Sequence, residues 1–107
     1  AGTVVSSHDP RFLPGQKVIA TSYGLGVDRD GGWSEYVCVP GDWIVPLPDG
    51  LSLAESMMLG TAGLTAGLCV DALQQHGIKP QDGEMLVTGA TGGVGSLAVR
   101  LLAHLGY

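Results

Sequence analysis

The residues with the clearest chemical potential form a glycine-rich run, TGATGGVG, at positions 88–95. A turn of this kind between a strand and a helix directs backbone N–H groups and the positive helix end towards one point, which suits a pyrophosphate. Glycine is needed where a side chain would block the phosphates or the close crossing of helix and strand. Ala90 occupies the first glycine position of the strict G-x-G-x-x-G pattern. The competing interpretation is a tight turn in an ordinary α/β domain, and the flanking segments favour dinucleotide binding.

The segments on either side of this run have the periodicity that a dinucleotide-binding turn requires. Residues 84–88 are almost all apolar, which is typical of a strand covered on both faces in a parallel sheet. A P-loop is excluded, because no lysine follows Lys79. On the other side, apolar residues recur at helical spacing up to Gly106, namely Val94, Leu97, Ala98, Leu101, Leu102 and Leu105.

Two further helices are predicted upstream of the glycine-rich run. Ser52 and Glu55 have the spacing of a capping box, so we expect a helix from Leu53 that breaks at Gly60. A second helix follows Thr61 and ends at Gly77. Its predicted apolar stripe consists of Leu64, Leu68, Cys69, Ala72 and Leu73.

Residues 1–50 have the pattern of a small β-structure. Short apolar or β-branched runs at 3–7, 17–22, 33–39 and 43–45 alternate with glycine and proline turns, which favours a small barrel or sandwich. We expect Trp33 and Trp43 to pack within it and Tyr23 to be half-buried there. The alternative for Tyr23 is that its hydroxyl donates to a substrate carbonyl.

Composition excludes several classes of function. Five basic residues are dispersed among ten acidic ones for a net charge of −5, so neither a nucleic acid nor an anionic membrane is an expected partner. No run of 18 apolar residues occurs, so no membrane span is predicted. Cys38 and Cys69 match no metal spacing, and we expect no metal site and two buried thiols in a reducing cytosol.

The chain resembles the acryloyl-CoA reductase subfamily of the quinone oxidoreductase-like, zinc-independent medium-chain dehydrogenases/reductases. The likeness runs in order through AGTV (1–4), DPRF (9–12), YGLGV (23–27), GDW (41–43), GTAGLTA (60–66), PQDGE (80–84) and VTGATGGVGS (87–96). It implies an α/β chain. Residues 1–50 would be the end of a GroES-like β-barrel, the substrate domain. Residues 51–107 would be linking helices and the first β–α unit of a Rossmann dinucleotide-binding domain.

The resemblance also implies an activity. It implies a cytoplasmic, homodimeric enzyme that transfers a hydride from NADPH to the activated C=C bond of acryloyl-CoA, another enoyl-CoA or a quinone-like substrate. The resemblance implies that Thr65 contacts the cofactor near its nicotinamide end. An equal alternative is that the Thr65 hydroxyl bonds to its own helix backbone. No catalytic acid or base is assigned. The implied cofactor contacts are Thr65, Ala90, Thr91, Gly92, Gly93 and Val94.

Two alternatives stay open at this stage. The loop also fits a short-chain dehydrogenase, although that family begins with this loop and here 83 residues precede the strand. Because members of the resembled family extend beyond both ends of this chain, we expect the chain to be an interior segment that is inactive alone. The second alternative is a non-enzymatic fragment that folds only with the rest of its chain. The residue that separates NADPH from NADH lies about 20 positions past the first glycine, beyond Tyr107.

Overall fold

A computed structural model describes all residues from 1 to 107, with three short strands followed by two helices. The strands are β1 (Gly2–Thr3), β2 (Lys17–Ala20) and β3 (Ile44–Pro46), and the helices are α1 (Leu53–Gln75) and α2 (Gly93–His104). Single 3₁₀ turns lie at Gly41–Trp43 and Pro80–Asp82. The chain divides into two compact units, Ala1–Met58 and Leu59–Tyr107. The predicted boundary at residue 50 stays a prediction.

The first unit contains an open antiparallel sheet in the order β1-β2-β3. Val18 of β2 pairs with Gly2 on one side and with Pro46 on the other. The expected strand over residues 33–39 is wrong for this chain, since no neighbouring strand pairs with it and Trp33 is fully exposed. Strand pairing depends on distant residues, so a β-prone run alone does not make a strand. The closed barrel is therefore not observed, and three of the four predicted strands are shorter or shifted.

One ion-pair cluster joins the β1–β2 connection to the turn before β3. The Arg11 guanidinium contacts the Asp9 and Asp42 carboxylates, each with an N–O distance of 2.6 Å. The Arg11 side chain and backbone N–H both donate to Asp9, and these bonds hold the pKa of the Asp9 carboxyl below its ordinary value. The same contacts raise the pKa of Arg11. Next to the cluster, Phe12 is the buried apolar side chain of this unit.

The start of α1 has the predicted capping box. The backbone N–H of Glu55 donates to the Ser52 hydroxyl at 3.2 Å, and the Ser52 N–H donates to the Glu55 carboxylate at 2.8 Å. Gly60, seven residues after Leu53, has φ 48° and ψ −151°, so the helix is interrupted where the break is expected. A left-handed φ of this kind is accessible to glycine at low cost.

The end of α1 is also as predicted. Gly77 has φ +80°, its N–H donates to the Gln74 carbonyl, and the Ile78 N–H donates to the Leu73 carbonyl. This pair of bonds is a Schellman motif, which satisfies the last carbonyls of a helix. The same arrangement ends α2 at Gly106, with φ +86°.

The predicted apolar stripe of α1 is wrong. After Gly60 the buried positions are Ala66 and Val70, whereas Leu64 and Leu68 are 44% and 60% exposed. Of the predicted stripe, only Leu73 is half-buried. Periodicity gives two apolar faces here, and only the tertiary packing decides which one is covered. The expectation of buried thiols is also wrong, since Cys38 and Cys69 are both exposed.

Helix α1 as a whole is long and apolar enough to cross a membrane by length and composition. The interruption at Gly60 leaves seven helical residues before it and 15 after it. A membrane-spanning helix needs about 20 consecutive residues, so neither part meets that length.

Residues 84–88 carry no strand pairing, contrary to the prediction. Met85 and Val87 are half-buried, whereas Leu86 between them is 91% exposed. This alternation is that of a strand, but a strand needs a neighbour to bond its N–H and C=O groups. Helix α2 forms as predicted, with Leu102 of its apolar stripe buried.

Replacing the capping serine tests the start of α1. Ser52→Ala removes one of the two reciprocal bonds, and we expect it to lower the free energy of unfolding by about 0.5–2 kcal/mol in chemical denaturation. Ser6→Ala is the matched control, because Ser6 is exposed and its hydroxyl makes no hydrogen bond. Equal stability of both variants would show that the capping box contributes nothing.

The Asp9–Arg11 contact predicts a pH dependence. Because the folded-state pKa of Asp9 lies below its ordinary value of 3.8, the contact stabilises the fold fully above that pH. Its contribution decreases as the pH falls through the lower folded-state pKa. Asp9→Asn should therefore make the thermal midpoint less dependent on pH below 4, whereas Asp49→Asn, at a carboxylate outside the ion pair, should leave the slope unchanged.

Candidate functional site

The glycine-rich run forms a tight turn directly before α2. Gly89 has φ +62°, and its carbonyl accepts the Gly92 N–H at 2.9 Å. Gly92 is the N-cap and supplies no side chain to the helix end. The N–H groups of the first turn, on residues 93–95, therefore point out of the helix without an intrahelical acceptor.

Gly95 makes this turn possible. A Cβ added to Gly95 would lie 2.7 Å from the Gly89 carbonyl carbon and 3.0 Å from the Ala90 Cα atom. Both distances are too short for non-bonded carbons. Any residue larger than glycine at this position would push the turn away from the helix, so Gly95 belongs to the site although it is absent from the predicted contacts.

The predicted cofactor residues of the loop lie together at this helix end. Gly95 beneath them is buried, and no acidic residue lies in the first turn of α2. An anion at this position would meet the positive end of the helix dipole without competition from a carboxylate. The residues that the turn leaves exposed are Ala90, Thr91, Gly92, Gly93 and Val94.

Thr65 lies on α1, which approaches the loop within the same unit. A Cβ added to Gly93 would lie 3.4 Å from the Ala62 Cβ atom, an ordinary packing contact one turn before Thr65. The Thr65 hydroxyl donates to the Thr61 carbonyl at 2.8 Å, which is the structural alternative considered for it. The hydroxyl oxygen keeps its capacity to accept a hydrogen bond.

In the first unit, Tyr23 and Trp43 stack on each other. Their ring centroids lie 5.1 Å apart with 4° between the planes, and the Arg29 guanidinium carbon lies 4.9 Å from the Trp43 ring centroid. Tyr23 is 54% exposed, which is close to the predicted half-burial, although no barrel surrounds it, and Trp33 packs against no core. The expectation that both tryptophans pack a barrel interior is thus wrong, because Trp43 pairs with side chains of the loop over residues 22–29.

The chain is similar in sequence to bacterial oxidoreductases over its whole length. It is 65% identical to a Bacillus subtilis protein named quinone oxidoreductase YhfP and 53% identical to the acrylyl-CoA reductase AcuI of Ruegeria pomeroyi. These matches confirm the resemblance to the acryloyl-CoA reductase and quinone oxidoreductase-like group. The chain spans 32% of the length of each of these relatives. No protein-family model matches the chain.

Solved structures are similar in fold as well. The yhdH oxidoreductase of Salmonella enterica in complex with NADP matches 99% of the chain with a TM-score of 0.93 at 58% identity. The structure of YhfP with NAD bound matches 99% with a TM-score of 0.92. The chain covers 33% and 32% of those two proteins. Both neighbours are oxidoreductase-type structures with a nicotinamide dinucleotide.

Substitution of Gly95 tests the packing of the turn. We expect Gly95→Ala to lower the free energy of unfolding by about 1–3 kcal/mol, the usual effect of overpacking. The matched control is Gly67→Ala, also within a helix, where an added Cβ meets no atom within 4 Å. That control should instead raise stability by about 0.5–1 kcal/mol. Urea denaturation of both variants measures the contrast, and a neutral Gly95→Ala would contradict the packing argument.

Proposed function

We propose that the chain is the cofactor-binding segment of an NADPH-dependent reductase that acts on an activated C=C bond. The observation that carries this proposal is the helix end without a side-chain cap at residues 92–95, and its support is that the similar solved structures hold nicotinamide dinucleotides. The relatives' names support acryloyl-CoA and a quinone-like compound as substrates, and another enoyl-CoA is proposed from its chemical likeness to acryloyl-CoA.

The loop residues have distinct proposed roles towards NADPH. The N–H groups of residues 93–95 would bond to the pyrophosphate oxygens, since they have no acceptor in the helix. Ala90 and Thr91 would lie beside the phosphates, where small side chains leave room for them. Gly89 and Gly95 set the distance between turn and helix. When bound, NADPH supplies the hydride, and these residues bind and orient it.

The finer architecture is part of the same proposal. We assign residues 1–50 to the end of a GroES-like barrel and residues 51–107 to linking helices and the first β–α unit of a Rossmann domain. The alternating exposure of residues 84–88 supports this, because neighbouring strands in a parallel sheet would cover Leu86 and bond the free backbone groups. A cytoplasmic homodimer is the proposed state of the whole protein.

Thr65 is proposed as a contact near the nicotinamide end of the cofactor. Its support is the resemblance and the packing of α1 beside Gly93. Its hydroxyl proton is already donated to Thr61, so Thr65 would act as an acceptor, for instance for the carboxamide N–H groups.

A pair of substitutions at Gly92 separates cofactor binding from folding. Both variants place the same Cβ atom 3.3 Å from the Gly89 carbonyl oxygen, and aspartate and asparagine are both favoured N-caps, so the two variants should have equal thermal midpoints. Gly92→Asp places a carboxylate against the pyrophosphate. We expect it to raise the Kd for NADPH at least tenfold, whereas the neutral Gly92→Asn should have a smaller effect.

The measurement is titration of NADPH, and of NADH for comparison, into the protein at the length of its relatives, together with turnover of acryloyl-CoA. Equal affinity of the Asp and Asn variants would contradict a pyrophosphate at this helix end. Tighter binding of NADH than of NADPH would assign the cofactor of the B. subtilis structure instead. Absence of turnover with both acryloyl-CoA and a quinone would reject the reductase.

A further inference from the structure

Three aspartates of the chain directly precede a glycine, namely Asp30, Asp49 and Asp82. In an Asp–Gly step the peptide nitrogen of the glycine can attack the side-chain carboxyl carbon of the aspartate, because the glycine has no Cβ atom to hinder the approach. The attack needs a carboxyl group and an N–H group that are both free, and room for the peptide between them to rotate. The three steps differ in how far they meet these requirements.

Asp82 is held by hydrogen bonds. Its carboxylate accepts the Lys79 N–H at 2.8 Å, and its own N–H donates to the Lys79 carbonyl at 3.0 Å. Both bonds lie within the single 3₁₀ turn Pro80–Asp82. The carboxylate is thus directed back to residue 79, and it must leave this bond before it can meet the Gly83 nitrogen.

The step at Asp30 is restricted by packing. Asp30 is exposed, but Gly31 is half-buried against the backbone of Gly26. A Cβ atom added to Gly31 would lie 3.0 Å from the Gly26 Cα atom, and the Gly26 N–H in turn donates to the Arg29 carbonyl at 2.9 Å. The peptide that must rotate therefore lies against a backbone segment that is itself hydrogen-bonded.

The step at Asp49 meets all three requirements. Asp49 and Gly50 are exposed, the Asp49 carboxylate accepts no hydrogen bond, and the Gly50 N–H donates to no acceptor in the chain. A Cβ atom added to Gly50 would meet no atom within 4 Å. The hydrogen bond across this turn, from the Leu51 N–H to the Pro48 carbonyl, is 3.4 Å long, beyond the usual range of about 2.7–3.2 Å. An exposed turn with so few contacts opens at a low free-energy cost.

We propose that the Asp49–Gly50 step is a site of spontaneous isoaspartate formation. The Gly50 nitrogen bonds to the carbon of the neutral Asp49 carboxyl group, and the N–H proton leaves with the carboxyl OH as water. The product is a five-membered succinimide. Water then opens this ring. Addition at the main-chain carbonyl carbon breaks its bond to the Gly50 nitrogen and gives isoaspartate, whereas addition at the side-chain carbonyl carbon restores aspartate.

The modification changes the connection between β3 and α1. In isoaspartate the main chain runs through the Asp49 side chain, which adds one methylene to the backbone and leaves the α-carboxylate as a side group. One water is lost and one is gained, so the mass of the chain stays the same. The reaction uses no cofactor or substrate and is therefore independent of the proposed function.

The experiment incubates the protein at the length of its relatives for several weeks at mildly acidic pH, in buffer and in concentrated guanidinium chloride. Because the mass is unchanged, each Asp–Gly step is followed with a protease that cleaves before aspartate and not before isoaspartate. In buffer we expect isoaspartate to form at Asp49 at least tenfold faster than at Asp82, and faster than at Asp30. In guanidinium chloride the structural differences disappear, and the three rates should converge.

Asp49→Glu is the matched variant, because it keeps the charge and would need a six-membered ring, which forms far more slowly. No isoaspartate should form at position 49 in this variant, and the rates at Asp30 and Asp82 should equal those of the wild type. Equal rates at the three steps in buffer would overturn the inference. A rate order that is the same in buffer and in guanidinium chloride would also reject it, since the sequence alone would then set the rates. So would a folded protein that forms no isoaspartate at Asp49.

Discussion

The close approach of Gly95 to the backbone of Gly89 and Ala90 is the constraint on which the second unit depends. Because residue 95 has no side chain, the backbone of the turn can lie against the first turn of α2. This fixes where the chain leaves residues 84–88 and where the helix begins. It also leaves the N–H groups of residues 93–95 without an intrahelical acceptor, in a first helical turn that has no acidic residue. The absence of a side chain at Gly95 thus determines both the path of the backbone at the turn and the electrostatic character of the helix end.

Local features could be predicted from the sequence with good accuracy. The capping box at Ser52 and Glu55, the interruption at Gly60 and the glycine stops at Gly77 and Gly106 all depend on neighbours within about five residues. Each involves a specific side-chain oxygen or a left-handed φ that is visible in the sequence. The amphipathic helix α2 follows from its long periodic pattern for the same reason.

Features that depend on distant residues could not be predicted in this way. Residues 33–39 and 84–88 have strand-like composition, but each needs a partner strand before its backbone groups are bonded. The periodicity of α1 predicts that Leu64 and Leu68 are covered, whereas Ala66 and Val70 are the buried residues, because both faces of the helix are apolar. The stack of Tyr23 on Trp43 joins residues 20 positions apart, and no local signal indicates it. Of the candidate site, the loop was predictable and the packing of Ala62 against Gly93 was not.

Residues 84–88 alternate between half-buried and exposed side chains, and this segment affects how the chain behaves at high concentration. An apolar extended segment with unbonded N–H and C=O groups is a template on which another copy can add a strand, the first step of cross-β aggregation. Glu84 stands at its beginning as a charged gatekeeper, and the net charge of −5 keeps copies apart near neutral pH. That repulsion disappears as the pH approaches the isoelectric point of about 4.8. The segment on which another copy can add a strand therefore leads directly into the glycine-rich turn, so the residues that limit solubility are adjacent to the candidate site.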